Sequence, residues 1–203
     1  MNEHETRWQE DCKKAFEWVN DVYEQTATAR EDAQAAFQED GWMIKYRDGW
    51  GGDATTTSLT DWPFLYLTAF CALPPEVQSG AKSGVAAIFG FFFFDDKRVG
   101  PQCFAGKVRW SDALPQPDHW LLYHALNGPG DLSKHFERTG NNIRTAVPKD
   151  KAKAWKPSVD ELRWFEVPLG TISSAEKLRD IVAATEALVR GDEGPARKLV
   201  ESI

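Results

Sequence analysis

The chain is sparing with the side chains that build reactive and metal centres: three cysteines, four histidines and two methionines in 203 residues. Cys12, Cys71 and Cys103 are odd in number and widely spaced, and no pair has the C-x-x-C spacing. That excludes a disulfide framework and a structural zinc site, and it fits a reducing, cytoplasmic setting. No apolar run approaches the ~18 residues of a membrane span. The opening residues, Met1 to Glu5, are acidic and lack the basic and apolar regions of a secretion signal. There is no internal repeat and no low-complexity tract. With 42% hydrophobic, 12% aromatic and 27% charged residues, wholesale disorder is excluded as well.

Catalytic signatures are equally scarce. His4, His119, His124 and His135 include no two at helical spacing of three or four. The five-residue step from His119 to His124 points them to different faces of a helix or strand. No G-x-S-x-G elbow occurs. The run Ser79-Gly80-Ala81-Lys82-Ser83-Gly84 lacks phosphate-loop spacing and leads into a strand pattern rather than a helix. Gly49-Trp50-Gly51-Gly52 reads as a loop. Asp95 and Asp96 follow a four-phenylalanine strand, a place where metal-dependent nucleases put acids. The next strand offers Lys107 but no partnering acid, so a turn is the simpler reading. Neither a metal nor a cofactor is expected.

What the chain does have is uneven charge. The formal net charge is -7, and residues 1–40 alone hold eleven acids against four bases, which accounts for all of it. From Lys134 to Lys156 the balance reverses, with seven bases against Glu137 and Asp150. A solvated surface is the ordinary account of both patches; a docking role is the functional one.

From Glu5 to about Gln38 there is neither proline nor glycine. Trp8, Cys12, Ala15, Val19, Val22, Thr26, Ala29, Ala33 and Ala36 recur in steps of four and three, flanked by Phe16, Tyr23 and Phe37. That predicts a long amphipathic helix over residues 1–40, closed at Gly41. At ~1.5 Å per residue it would run about 50 Å, more than one compact domain is wide. Either it kinks near Thr26 to Thr28, or part of it projects and packs on another chain. The alanine-rich second half makes packing across the protein's own sheet the expected use.

After Gly41 the period falls to two. Residues 42–47, 64–73, 85–94, 102–110 and 162–167 predict five strands, with 64–73 and 85–94 apolar on both faces and hence central. The 85–94 and 102–110 strands read as an antiparallel hairpin. Residues 118–126 and 131–137 suggest short helical pieces, and 141–157 a basic surface loop. Ser173 and Glu176 have capping-box spacing before a helix that ends at Gly191, and a short helix follows from Pro195. The expected architecture is a single α+β domain over 1–203. It comprises a helix (1–40), an antiparallel meander (41–110), a basic loop and short-helix insertion (111–160), and a last strand with helices (161–203).

Nine tryptophans are many for a chain of this size. Trp8, Trp42, Trp110 and Trp164 sit in phase with apolar neighbours and are expected in the core. Trp18 lies off the main stripe, Trp50 in a glycine loop and Trp155 in the basic stretch, so these three are the candidate contact residues. The leading expectation is a non-catalytic protein-binding or regulatory protein, engaging a protein partner or itself through the acidic helix and these tryptophans. One rival is a hydrolytic enzyme assembled from Asp95, Asp96, His119, His124 and Glu166. The other is nucleic-acid binding through Lys149, Lys151, Lys153 and Lys156, with Trp155 and His135 stacking on bases.

Overall fold

The computed structural model describes residues 3–51, 67–77, 81, 83–92, 100–111, 136–149 and 159–203. Helix α1 (Glu3–Glu39) leads into strands β1 (Met43–Gly51), β2 (Leu67–Leu73), β3 (Ser83–Phe92) and β4 (Gln102–Ser111). Strands β5 (Phe136–Thr139), β6 (Arg144–Pro148) and β7 (Val159–Pro168) follow, then helices α2 (Ala175–Val189) and α3 (Gly194–Glu201). All seven strands join one sheet in the order β1-β2-β3-β4-β7-β6-β5, and every neighbouring pair is antiparallel. The class is α+β.

The sheet has seven strands where the periodicity predicted five, and the two additions are β5 and β6. They occupy part of the stretch read as a helical turn and a basic loop. Phe136 pairs with Pro148 and Thr139 with Thr145, around a turn in which Gly140 adopts a φ of 86°. Charge and proline masked the strand pattern there. Pro148 is tolerated because it ends its strand, and the short alternation of buried Ala146 with exposed Val147 carries the only strand signal.

Alternation sends the strand side chains to two apolar faces. Phe70, Ala72, Phe89, Phe91, Cys103, Ala105, Phe165 and Val167 form one, packed against Tyr23, Ala33 and Phe37 of α1 and Leu178, Ile181, Val182 and Leu188 of α2. Cys71, Leu73, Ile88, Phe92, Phe104, Val108, Trp110, Leu162 and Trp164 form the other, and they too are buried. Strands buried on both faces need continuous apolar sequence, which is why β2 and β3 lost their alternation.

Helix α1 runs without a break through Thr26 and Thr28, where a kink was one of two expected outcomes. Both hydroxyls bond back to carbonyls one turn earlier, Thr26 to Val22 at 2.6 Å and Thr28 to Glu24 at 3.1 Å. Its C-terminus is pinned: Gly41 takes φ 81°, Trp42 N–H reaches the Phe37 carbonyl at 2.9 Å, and Gly41 N–H reaches that of Gln38 at 3.0 Å. This is the left-handed glycine stop that the sequence signalled. Phe37 meets Trp42 edge-on at 5.4 Å and Phe70 at 6.0 Å between ring centroids, which locks the end of the helix onto the sheet. At the start of α2 the cap is Ser174, one residue later than the spacing from Glu176 suggested. The Ser174 hydroxyl accepts from the Lys177 N–H at 3.2 Å.

Candidate functional site

Helix α1 divides into two regimes at Tyr23. From there onward Tyr23, Thr26, Arg30, Ala33 and Phe37 are buried at steps of three and four, so one face lies on the body of the protein. Before it, no side chain from Arg7 to Val22 is buried. Val19 and Val22 at the end of that segment are half-buried against the same core, which leaves Arg7 to Trp18, about 18 Å of helix at 1.5 Å per residue, as the stretch that packs least. It holds three large apolar side chains in solvent: Trp8 is 67% exposed, Trp18 60% and Phe16 59%. Trp8 was expected in the core on phase alone, and the structure corrects that. Phase shows which residues share a face; it cannot show where the body that covers the face stops.

Cys12 and Val19 are half-buried and Ala15 is exposed; together with Trp8 they continue the stripe that is buried further along. Trp18 stands on one flank of that stripe and Phe16 on the other. The charged residues sit round the back, where Lys13 and Glu17 form an i,i+4 pair at 3.7 Å and the Asn20 amide donates to Glu24 at 3.1 Å. The acidity of the segment therefore decorates the outer side of an aromatic stripe.

Most of the other sequence candidates lie outside the described residues. Residue 50 is in β1, in register with Thr68, while its side chain lies outside the described residues. Trp155, Lys151, Lys153 and Lys156 also lie outside them, as do Asp95, Asp96, His119, His124 and His135. Lys149 is exposed just after β6.

Glu166, the remaining member of the hydrolytic set, is mostly buried on β7. Its Oε1 accepts from Arg144 at 2.8 Å and from the Trp164 indole N–H at 3.0 Å. A carboxylate engaged by a guanidinium and an indole ties β6 to β7, which suits a strut better than a proton acceptor. Among the described residues, no three His, Cys, Asp or Glu side chains gather where they could hold a metal ion.

Other polar groupings also link elements. Glu161 reaches Lys107 at 3.8 Å and Arg109 at 3.5 Å across the β4–β7 ladder. Arg163 pairs with Glu193, which pairs in turn with Arg197 at 2.8 Å, fastening α3 to the sheet. Between α2 and α3 lies an open groove of about 390 Å³ lined by Lys177, Asp180, Ala183, Ala184, Pro195, Lys198, Leu199 and Ser202. Cys71 and Cys103 are fully buried, and burial pushes the Cys71 thiol up to about 12 and the Cys103 thiol up as well. Neither is a nucleophile near neutral pH. Among the described residues no helix is long and apolar enough to cross a membrane.

No protein-family model matches this chain, and comparison with curated proteins and with solved structures finds no match.

Proposed function

We propose that the chain is a non-catalytic protein-binding or regulatory protein of a reducing, cytoplasmic compartment, and that the first half of α1 is its binding element. One observation carries the reading: sixteen consecutive helical residues, Arg7 to Val22, bury no side chain yet present Trp8, Phe16 and Trp18 to solvent. Large aromatics are costly to leave in water and are enriched at the centres of interfaces. A helix that offers an apolar stripe ahead of the body it belongs to is the helix-in-groove mode of recognition. Three cysteines outside any disulfide are consistent with the compartment.

The test couples the intact chain to a resin through its C-terminus and incubates it in extract of the source cells. The double variant Trp8→Ala/Trp18→Ala is run beside it, and bound proteins are quantified by mass spectrometry. Captured protein should fall at least tenfold with the double variant while far-ultraviolet circular dichroism stays unchanged. Equal capture by both chains would remove the assignment.

A further inference from the structure

We infer that the groove between α2 and α3 binds a medium-chain aliphatic monocarboxylate, its head between Lys177 and Lys198 and its tail along Ala183, Ala184 and Pro195. The site is separate from the α1 surface, and the inference goes beyond the protein-binding reading without resting on it. Helix α2 lies on the sheet through Leu178, Ile181, Val182 and Leu188. A neighbouring stripe, Lys177, Asp180 and Ala184 in steps of three and four, turns instead towards α3. Helix α3 faces it with Pro195, Lys198, Leu199 and Ser202, again in steps of three and four. The space between the two stripes is about 390 Å³, within the range of small-molecule sites.

The walls are fixed without a ligand. Ala196 and Leu199 seat α3 in the core, and Glu193 ties the start of that helix to Arg163 of the sheet and to Arg197. The Asp192 carboxylate accepts from the Gly194 N–H at 2.9 Å, and Pro195 stands in the first turn, where its missing N–H costs nothing. The short link from Arg190 to Glu193 brings α3 back along α2 as a helical hairpin. That sets Ser202 towards Lys177, and Pro195 towards Ala184. The groove therefore has a charged end and an apolar end, about 10 Å apart along α2.

Charge selects the head group. Lys177 and Lys198 share the groove with Asp180, yet among the described residues neither ammonium has a carboxylate within ion-pair distance. Lys107, Arg109, Arg144, Arg163 and Arg197, by contrast, all have one. Two cations against one anion leave a surplus of a single positive charge, which one carboxylate neutralises and a dianion would exceed. The other end selects the tail. Ala183 and Pro195 are exposed, and Ala184 and Leu199 lie buried beneath them. Among the described residues no aromatic ring lines the groove, so nothing there stacks on a planar ligand. Alanine and proline leave a smooth track for an alkyl chain, and each methylene laid on it leaves water. A track of about 10 Å suits the length of octanoate.

The test titrates sodium octanoate into the isotope-labelled full chain and follows the backbone amide resonances. Saturable shifts centred on α2 and α3 are expected, with a dissociation constant of about 0.1–1 mM for so open a groove. Lys177→Ala/Lys198→Ala should raise that constant ~5-fold or more, and octanamide, with the same chain and no charge, should bind weaker by a similar factor. Asp180→Asn removes the opposing carboxylate and should tighten binding ~2-fold or more. Ala183→Phe fills the groove from an exposed position and should abolish binding with unchanged circular dichroism. The lysine pair, also on the surface, serves as the second variant. Shifts that rise without saturating, equal binding of octanamide, or indifference to both Ala183→Phe and the lysine pair would each overturn the inference. Tighter binding of a short acetylated peptide ending in leucine would also overturn it, in favour of a peptide C-terminus. Capture through Trp8 and Trp18 is a separate measurement, so failure here leaves the protein-binding reading standing.

Discussion

Trp18 is 60% exposed and Tyr23, five residues further along the same unbroken helix, is 2% exposed. The transition from free helix to packed helix falls between them, and it makes the two aromatics energetically opposite. Tyr23 packs with Phe37 and the apolar strand residues of the helix-covered face, and burial pushes its phenol up to about 12.

Tyr23→Ala should therefore cost about 3–5 kcal/mol of unfolding free energy, the usual loss for a buried aromatic. Trp18→Ala should change it by no more than about 0.5 kcal/mol. Urea titration at low micromolar concentration checks both. A large loss from Trp18→Ala would place that ring in the folded core and end its role as a contact residue.

The cysteines divide at the same boundary. Cys12 lies on the projecting half and is partly accessible, whereas Cys71 and Cys103 are buried on the two faces of the sheet. One thiol of the three should react with an aromatic disulfide reagent in the native protein, and Cys12→Ser should abolish that reaction. All three should react in denaturant. Fast labelling of two or three thiols in the native state would contradict the burial pattern.

A close approach within the sheet gives a third expectation. Gly106 lies opposite Trp164 in the β4–β7 ladder, and a Cβ on Gly106 would stand 2.6 Å from the Trp164 Cα and press on the Arg163 carbonyl. Backbone atoms cannot swing aside as a flexible side chain can. Gly106→Ala should destabilise the protein by about 2–3 kcal/mol or more, despite alanine's better strand propensity. Thermal unfolding of the variant is the measurement, and an unchanged midpoint would mean that the two strands stand further apart.

Elements whose periodicity extends over many residues were legible in the sequence. The α1 stripe, the doubly apolar β2 and β3, and the alternation of β4 all announce themselves because burial on one or two faces imposes a repeat. Strands β5 and β6 did not, because a hairpin of four and five residues carries barely two repeats, and lysine and proline around it imitate a loop. The candidate surface was half legible. Trp18 stood out because it falls off the stripe, but Trp8 and Phe16 fall on or beside it. Their exposure depends on where the sheet and α2 end in space, and a local repeat holds no record of that. The displaced cap at Ser174 has a smaller cause: two adjacent serines both offer a hydroxyl, and backbone geometry chooses between them.

The junction of α1 with α2 makes stability depend on pH. Glu186 of α2 is buried beside Asp40, at the end of α1, with Arg190 at 3.7 Å. Burial first, and then the negative charge of Asp40, push its carboxyl up to about 7, and Arg190 offsets this only in part. A carboxyl raised from the ordinary 4.5 binds its proton more tightly in the folded state than in the unfolded chain. Its contribution is therefore most favourable below about pH 4.5 and declines as pH rises to about 7, above which both states are ionised and the loss is complete. The decline amounts to about 1–3 kcal/mol. Glu186→Gln keeps the shape and removes the charge, so it should be more stable than the parent by that amount at pH 8 and nearly equal to it near pH 4.5. Urea unfolding at pH 4.5, 6 and 8 resolves the two curves. Parallel curves across that range would show that Glu186 is ionised throughout and that Arg190, rather than burial, governs the junction.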